Sequence, residues 1–288
     1  MRFTKMQGAG NDYIYVNCFE ETVKDPAQVA IKVSDRHFGI GADGLVLICP
    51  SQKADFFMDI YNADGSCAQM CGNATRCVAK YVYDNHMTDK REIALETRSG
   101  IKYIKVTVED GKVVAARVNM GAPVLAGREI PTKFDGDTVV RQKLTVGEKE
   151  TEVTCVSMGN PHCVVFCDEV QNLPLRDIGP QFENHPMFPE RINTEFVKVL
   201  SPNALEMRVW ERGSGETLAC GTGACASVVA AVLNGYCPRG EEITVRLLGG
   251  TLKIEWTKEG DVFMTGPAAV VCTGEIEKIG RASCRERV

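Results

Sequence analysis

The sequence lacks several features that would place it in a common class of protein. It has no basic excess, because 33 Lys and Arg stand against 38 Asp and Glu for a net charge of −5, and such a balance offers no field to hold a nucleic acid backbone. No run approaches the roughly 20 apolar residues that cross a bilayer. The start, MRFTKMQGAGND, reaches Gly and Asp before any apolar run forms, so we expect no signal peptide. We therefore expect a soluble cytoplasmic protein without nucleic acid or membrane partners.

Motifs for metals and dinucleotides are also missing. The thirteen cysteines form no C-x-x-C pair, which argues against zinc ribbons and thioredoxin-type sites. The four histidines (37, 86, 162 and 185) are far apart in sequence, and we expect neither a metal nor a cofactor. GIGADG at 39–44 matches the dinucleotide pattern, but a predicted helix precedes it and a predicted strand follows, the reverse of the binding arrangement. We interpret it as a structural turn.

What the sequence does contain is an internal repeat with a constant offset of 149 residues. The matching pairs are Gly10-Asn11 with Gly159-Asn160, loop 61–66 with 210–215, Cys71-Gly72 with Cys220-Gly221, Gly100 with Gly249, and Asp110-Gly111 with Glu259-Gly260. These pairs lie at predicted loops and strand ends. They predict an α+β fold with two pseudo-symmetric lobes from an internal duplication. Each lobe is a curved, mostly antiparallel sheet around a central helix, and the active site lies in the cleft between them.

The repeat sets the expected domain boundaries. We assign residues 1–118 to the N-terminal lobe and 119–265 to the C-terminal lobe, and we interpret the Arg-rich end at 280–288 as a non-native tail. The central helices are predicted at about 73–84 and 224–234. The second is apolar on all sides, which predicts burial within a sheet layer.

Two cysteines occupy equivalent positions of this repeat. Cys71 and Cys220 each end a polar loop, and Gly and a predicted helix follow. A thiol there meets unpaired N–H groups and the positive end of the helix dipole, which favour the thiolate and lower the pKa. The same N–H groups bind a carboxylate. One such site would fit a simple helix cap, whereas two equivalent sites indicate function.

A cleft with one thiol on each wall suits two-base racemisation or epimerisation. A thiolate would remove an α-proton while a thiol donates a proton to the opposite face, and two helix N-termini would stabilise the developing negative charge. This chemistry requires no metal or organic cofactor.

The residues themselves resemble a known family. NADGSCAQMCGNATR at 62–76 resembles the N-x-D-G-S-x4-C-G-N-[GA]-x-R signature of the diaminopimelate epimerases, and similarity extends over about residues 1–279. Further similar segments are FTKMQGAGNDYIYV, RHFGIGADGL, VNMGAP, VSMGNPHCVV, FPERINTEFV, ERGSGETLACGTGACA and MTGPA. The resemblance implies cofactor-independent interconversion of LL- and meso-2,6-diaminopimelate in lysine and peptidoglycan precursor biosynthesis. It also implies a homodimer and a C-terminal strand, about 266–279, that packs on the first lobe.

The resemblance further implies roles for individual residues. Cys71 and Cys220 match the acid/base pair. Residues matched to the cradle of the reacting carboxylate are Gly72, Asn73, Gly221 and Thr222. Residues matched to binding the rest of the substrate are Asn11, Asn62, Asn160, Asn193, Glu211 and Arg212. Arg212 suits a bidentate contact with the distal carboxylate, while His162 and Glu211 match neighbours that tune the thiols.

One position departs from the family pattern. Many relatives carry Gln where this chain has Gly44, the repeat partner of Asn193. A glycine offers no side-chain amide, so Gly44 is left out of the predicted site. For Asn11 and Asn62, the residues alone fit turn and strand-end roles equally well.

Three other functions fit parts of the pattern. A proline or hydroxyproline racemase would share the two cysteines, although the Glu211-Arg212 pair favours a longer substrate with a second charged end. A thiol redox sensor would use a Cys71–Cys220 disulfide, which we expect as an oxidised off-state of the enzyme. An amino-acid-binding protein would need no cysteine on both walls.

Overall fold

The computed structural model describes residues 1–277, and the non-native tail expected at 280–288 lies outside them. The elements of the first half are β1 (Arg2–Gly8), β2 (Asn11–Asn17), α1 (Pro26–Ser34), β3 (Gly44–Cys49), β4 (Phe56–Asn62), β5 (Cys67–Ala68), α2 (Gly72–Asp84), β6 (Glu92–Thr97), β7 (Gly100–Glu109) and β8 (Lys112–Gly121). No helix within 1–277 is both long and apolar enough to cross a membrane.

The second half has the same order of helices and a similar order of strands. Its elements are β9 (Gln142–Val146), β10 (Lys149–Ser157), β11 (Pro161–Phe166), α3 (Leu175–Glu183), β12 (Asn193–Ser201), β13 (Ala204–Glu211), β14 (Gly215–Glu216), α4 (Gly221–Leu233), β15 (Glu242–Leu247), β16 (Gly250–Trp256), β17 (Val262–Gly266) and β18 (Ala269–Glu275).

Strand pairing gives the two halves the same topology. Most neighbouring strands are antiparallel, and each half has two parallel pairs at equivalent places: β2 with β3 and β4 with β6, then β11 with β12 and β13 with β15. β17 pairs with β8 of the first half, and β18 pairs with β1. The chain therefore has the predicted α+β fold with two lobes.

The helices follow the repeat closely. α2 and α4 both have 13 residues and begin at Gly72 and Gly221, 149 residues apart. α1 and α3 both have nine residues and begin at Pro26 and Leu175, with the same offset. The sequence analysis did not predict α3, because Pro180 inside it obscures a helical pattern. Applying the offset to α1 would have located it.

The main apolar core contains both central helices. Inward-facing residues from the sheets of both halves surround α2 and α4, and ten of the thirteen residues of α4 are buried. Its Ala-rich surface allows strands to approach on all sides, which confirms the burial predicted from its lack of a polar face. Smaller cores lie beneath α1 and α3.

The N-termini of the two central helices meet at one place. Met264 of β17 lies beside both first residues: a Cβ on Gly72 would be 2.5 Å from its Cε, and a Cβ on Gly221 would be 3.1 Å from its Sδ. The fold therefore brings the two Cys-Gly segments, 149 residues apart in sequence, to adjacent positions between the halves.

Candidate active site

A cavity of about 420 Å³ lies between the two halves, and both helix-start cysteines line it. The predicted site residues on its wall are Asn11, Asn62, Cys71, Gly72, Asn73, Asn160, Glu211, Arg212, Cys220, Gly221 and Thr222. A larger groove of about 1270 Å³ adjoins it and shares Asn11, Asn62 and Glu211 with it. The geometry thus gathers most of the predicted residues around one space.

Two predicted residues lie outside that wall. His162 is fully buried beneath it. Asn193 is also buried: its Nδ2 donates to the carbonyl of Pro161 at 2.8 Å, and its Oδ1 accepts the backbone N–H of Arg212 at 2.9 Å. In this structure Asn193 holds the backbone that carries Arg212.

Cys71 is the N-cap of α2 and contacts a fixed amide. Its Sγ donates to Asn11 Oδ1 at 3.3 Å, and Asn73 Nδ2 lies 3.4 Å from the same oxygen. Asn11 Nδ2 donates to Asp43 Oδ2 at 2.7 Å, and this hydrogen bond fixes the orientation of the Asn11 amide. The sequence analysis missed Asp43, although it lies within the quoted segment RHFGIGADGL.

Cys220 is the N-cap of α4 and is only 5% exposed. Its Sγ accepts the backbone N–H of Gly223 at 3.3 Å and lies 3.5 Å from Thr222 Oγ1. That hydroxyl also accepts a hydrogen bond from Asn160 Nδ2 at 3.2 Å. The thiol is thus in contact with a chain of polar groups that continues inward.

The inner end of that chain is a buried histidine and carboxylate. His162 Nε2 lies 3.0 Å from Asn160 Oδ1, and His162 Nδ1 lies 2.7 Å from Glu195 Oε1. Each ring nitrogen therefore lies within hydrogen-bond distance of a side-chain oxygen. The sequence analysis missed Glu195, and the repeat gave no signal because the equivalent residue is Val46.

A second carboxylate lies closer to the cavity. Glu211 accepts a hydrogen bond from the hydroxyl of Thr217, and it lines both the cavity and the adjoining groove. Next to it, the Arg212 side chain reaches the carbonyl of Glu190 at 2.9 Å through Nη1. Its guanidinium thus keeps further donors for a ligand.

The pKa directions differ from the sequence expectation. Burial raises the pKa of Cys71, and the N–H groups of Ala74 and Asn73 offset this only in part. Burial raises the pKa of Cys220 well above its ordinary value, and Glu211 and Glu195 raise it further. The expectation that helix N-termini lower both pKa values is wrong, because desolvation of a thiolate outweighs the helix dipole.

The backbone around Gly44 leaves no room for a side chain. A Cβ on Gly44 would lie 2.2 Å from the carbonyl oxygen of Tyr61 and 2.9 Å from Cε1 of Tyr13. Tyr61 belongs to β4, which pairs with β3 at this point. A side chain here would have to displace a paired strand.

We therefore expect Gly44→Ala to lower the free energy of unfolding by about 3 kcal/mol, the upper end for overpacking, because the obstacle is backbone. Urea denaturation followed by circular dichroism measures the change. An unchanged urea midpoint would show that β4 can move aside and would contradict the close approach of Gly44 to Tyr61.

Sequence comparison with known proteins points to a single family. The diaminopimelate epimerase family model matches residues 3–126 and 154–271. The curated diaminopimelate epimerase of Acetivibrio thermocellus is 58% identical over 278 residues, 96% of this chain and 99% of its own. That of Agathobacter rectalis is 58% identical over 287 residues, 97% of this chain and 100% of its own.

Solved structures with similar folds are more distant. A hydroxyproline epimerase from Agrobacterium vitis, solved with bound trans-4-hydroxy-L-proline, matches with a TM-score of 0.67 at 15% identity. The match covers 95% of this chain and 91% of that one. It supports the two-lobed fold alone.

Proposed function

The chain belongs to the diaminopimelate epimerase family, and on that premise we propose that Cys71 and Cys220 are its two acid/base groups. The protein is an isomerase that epimerises diaminopimelate in lysine biosynthesis. The observation that supports the proposal for the cysteines is their placement at two helix N-termini, one from each half, on one cavity.

The proton transfers follow from this placement. The thiolate of one cysteine removes the α-proton of LL-2,6-diaminopimelate and becomes a thiol. The other thiol donates its proton to the opposite face of Cα and becomes a thiolate, giving the meso isomer. No electrons are gained or lost, and no cofactor takes part. The protein ends with its two protonation states exchanged.

The helix starts stabilise the charge that develops between those steps. When the α-proton leaves, negative charge spreads into the adjoining carboxylate. We place that carboxylate against the N–H groups of Gly72 and Asn73 on α2 and of Gly221 and Thr222 on α4. Fixed N–H dipoles at the position of developing charge lower the barrier without reorganising.

The polar chain behind Cys220 positions one wall of the site. Asn160 is fixed by His162, and it orients the hydroxyl of Thr222 beside Cys220 Sγ. His162 and Glu211 thus act on the thiol through their position and charge, as supporting residues. Neither has to touch the reacting carbon.

We assign the distal end of the substrate to the adjoining groove. Asn11, Asn62 and Glu211 line the boundary between cavity and groove, and Arg212 lies beside it with donors for a carboxylate. The groove therefore favours a long substrate with a second charged end over proline or hydroxyproline.

Substituting Arg212 tests that assignment. A bidentate hydrogen bond between a guanidinium and a carboxylate contributes about 1.5–3 kcal/mol. Because Arg212→Met removes it, we expect KM for diaminopimelate to rise about 10- to 100-fold, with a smaller change in kcat. Arg212→Lys keeps the positive charge but cannot make the bidentate contact, so it should give an intermediate KM. A wild-type KM in the Met variant would exclude Arg212 as the distal partner.

The proposed chemistry is tested by incubating the reduced protein with LL-diaminopimelate in D2O, without added cofactor. Proton NMR and chiral separation should show deuterium entering Cα as the meso isomer forms. Exchange with proline or hydroxyproline alone would favour a racemase of those substrates. No exchange with any amino acid under full reduction would leave a redox or binding function.

We also propose that the enzyme works in the cytoplasm as a homodimer, as the family resemblance implies. All twelve cysteines of the described residues are free thiols, which fits a reducing compartment. Light scattering on the reduced protein tests the dimer, and a mass of one chain would contradict it.

A further inference from the structure

A buried arginine without a carboxylate partner lies beside Cys71. The side chain of Arg76, in the second turn of α2, is 0% exposed. Its guanidinium donates to Asn73 Oδ1 at 2.8 Å, to the carbonyl of Gly72 at 3.2 Å and to the carbonyl of Pro267 at 3.2 Å. Within residues 1–277 it forms no salt bridge. Burial lowers its pKa, but a guanidinium stays protonated in proteins.

Two glycines give this group a fitted slot. A Cβ on Gly8 of β1 would lie 3.1 Å from Arg76 Nη2, and a Cβ on Gly266 of β17 would lie 3.0 Å from its Nε. The plane of the guanidinium is therefore held between strands of the sheet and the start of α2. It cannot swing out to solvent to recover hydration.

The electrostatic setting of this slot calls for an anion. The guanidinium folds back onto Gly72 and Asn73, the first two residues of α2, where the helix dipole is positive. The start of α4 lies next to it, across Met264. A buried cation near two positive helix ends is strongly unfavourable unless a negative charge is present. Cys71, as the N-cap of the same helix, is placed to supply that charge.

The positive charge of Arg76 has no counterpart at the equivalent position of the second half. The residue equivalent to Arg76 in α4 is Cys225, a thiol whose pKa burial raises to about 12. Conversely, Glu195 and Glu211 face Cys220, whereas the equivalent residues in the first half are Val46 and Asn62. The two thiols thus share a backbone setting and differ in the charges around them.

The other titratable groups around Cys71 and Cys220 do not remove this difference in charge. Titratable groups that face Cys71 are Arg76 and Cys77 from α2, Tyr13 and Tyr15 from β2, and Glu211 from β13. The two tyrosines are neutral because burial raises each pKa well above its ordinary value. Near Cys220 the carboxylates are Glu195, which lies 2.7 Å from His162 Nδ1, and Glu211, whose pKa is raised by burial.

We propose that Arg76 is a positioning residue that holds the negative charge of the thiol/thiolate pair on Cys71 in the substrate-free enzyme, leaving Cys220 as the resting thiol. This rests on the proposed function of the two cysteines and adds the direction in which the free enzyme is charged. Burial raises the pKa of both thiols, that of Cys220 further than that of Cys71, and the charge of Arg76 offsets part of the rise at Cys71.

Site-resolved alkylation tests the proposal. The native enzyme is treated with iodoacetamide across a pH series, and peptide mass spectrometry gives a separate midpoint for Cys71 and Cys220. We expect the lower midpoint at Cys71. In Arg76→Met that midpoint should rise by about one pH unit, which makes labelling below it about tenfold slower, and the acid limb of kcat/KM should shift equally. Arg76→Lys should restore both, and exposed Arg246→Met serves as a charge-matched control.

Each outcome of the alkylation experiment either supports or overturns the proposal for Arg76. A lower midpoint at Cys220 in the native enzyme would overturn the proposal without any variant, even if Arg76→Met fails to fold. So would a folded Arg76→Met enzyme with an unchanged Cys71 midpoint. In either case α-proton exchange by the native enzyme would leave the proposed function standing, whereas loss of exchange would refute that function separately.

Discussion

Cys71→Ala and Cys220→Ala should each lower kcat for diaminopimelate epimerisation by about 10³-fold or more. General acid or base catalysis typically contributes 10²- to 10⁴-fold, and in a two-base cycle removing either group blocks turnover in both directions. Because the cysteines cap α2 and α4, one from each half, and both line one cavity, we expect each to serve one face of Cα. Chiral chromatography of diaminopimelate isomers measures the loss.

Cys67 provides the matched control for those variants. It begins β5, four residues before Cys71, and is exposed, so Cys67→Ala should retain wild-type kcat. Circular dichroism and thermal melting of all three variants check that the fold persists. Substantial epimerisation by a folded Cys71→Ala or Cys220→Ala enzyme would contradict the two-base assignment.

The second large effect is expected at the buried pair behind Cys220. His162→Leu should lower the free energy of unfolding by about 3–5 kcal/mol, because it leaves the Glu195 carboxylate buried without its partner. Glu195 is 0% exposed, and its Oε2 already lacks a hydrogen-bond partner among residues 1–277. Urea denaturation of the reduced protein measures the change.

A double variant separates charge from packing. Replacing a whole buried ion pair by apolar residues is often close to neutral, so His162→Leu/Glu195→Leu should recover most of the lost stability. Exposed His37→Leu should stay within about 0.5 kcal/mol of wild type. If the double variant is as unstable as His162→Leu, an unpaired charge is not the cause.

The sequence allowed much of the fold to be predicted because the duplication leaves marks at loops. The offset of 149 residues located the two helix starts at Cys71 and Cys220, and the all-apolar segment at 224–234 indicated a buried helix, which the structure has at Gly221–Leu233. In contrast, α3 went unpredicted although the same offset, applied to Pro26, falls on Leu175. Pairings such as β17 with β8 join distant segments and leave no local pattern.

The candidate site was predicted well where polar residues follow glycine-rich loops and poorly inside strands. Glu195 lies in the strand-like segment NTEFVKVL, where a charged residue would usually face solvent, but the packing of β12 in the core buries it beside His162. Arg76 was visible only as the last position of the 62–76 signature. Its burial depends on Gly8 and Gly266, which are far away in sequence. Such residues take their roles from tertiary neighbours, so local pattern cannot reveal them.

The most direct test of the two-base account is the distribution of deuterium early in the reaction. LL-diaminopimelate is incubated with the reduced enzyme in D2O, and the reaction is stopped at low conversion for NMR and mass analysis of each isomer. The account predicts deuterium at Cα of the meso product and protium in the recovered LL substrate, because the proton taken by one cysteine returns from that same cysteine. Equal deuterium in both isomers, or protium carried into the product, would indicate a single base and contradict it.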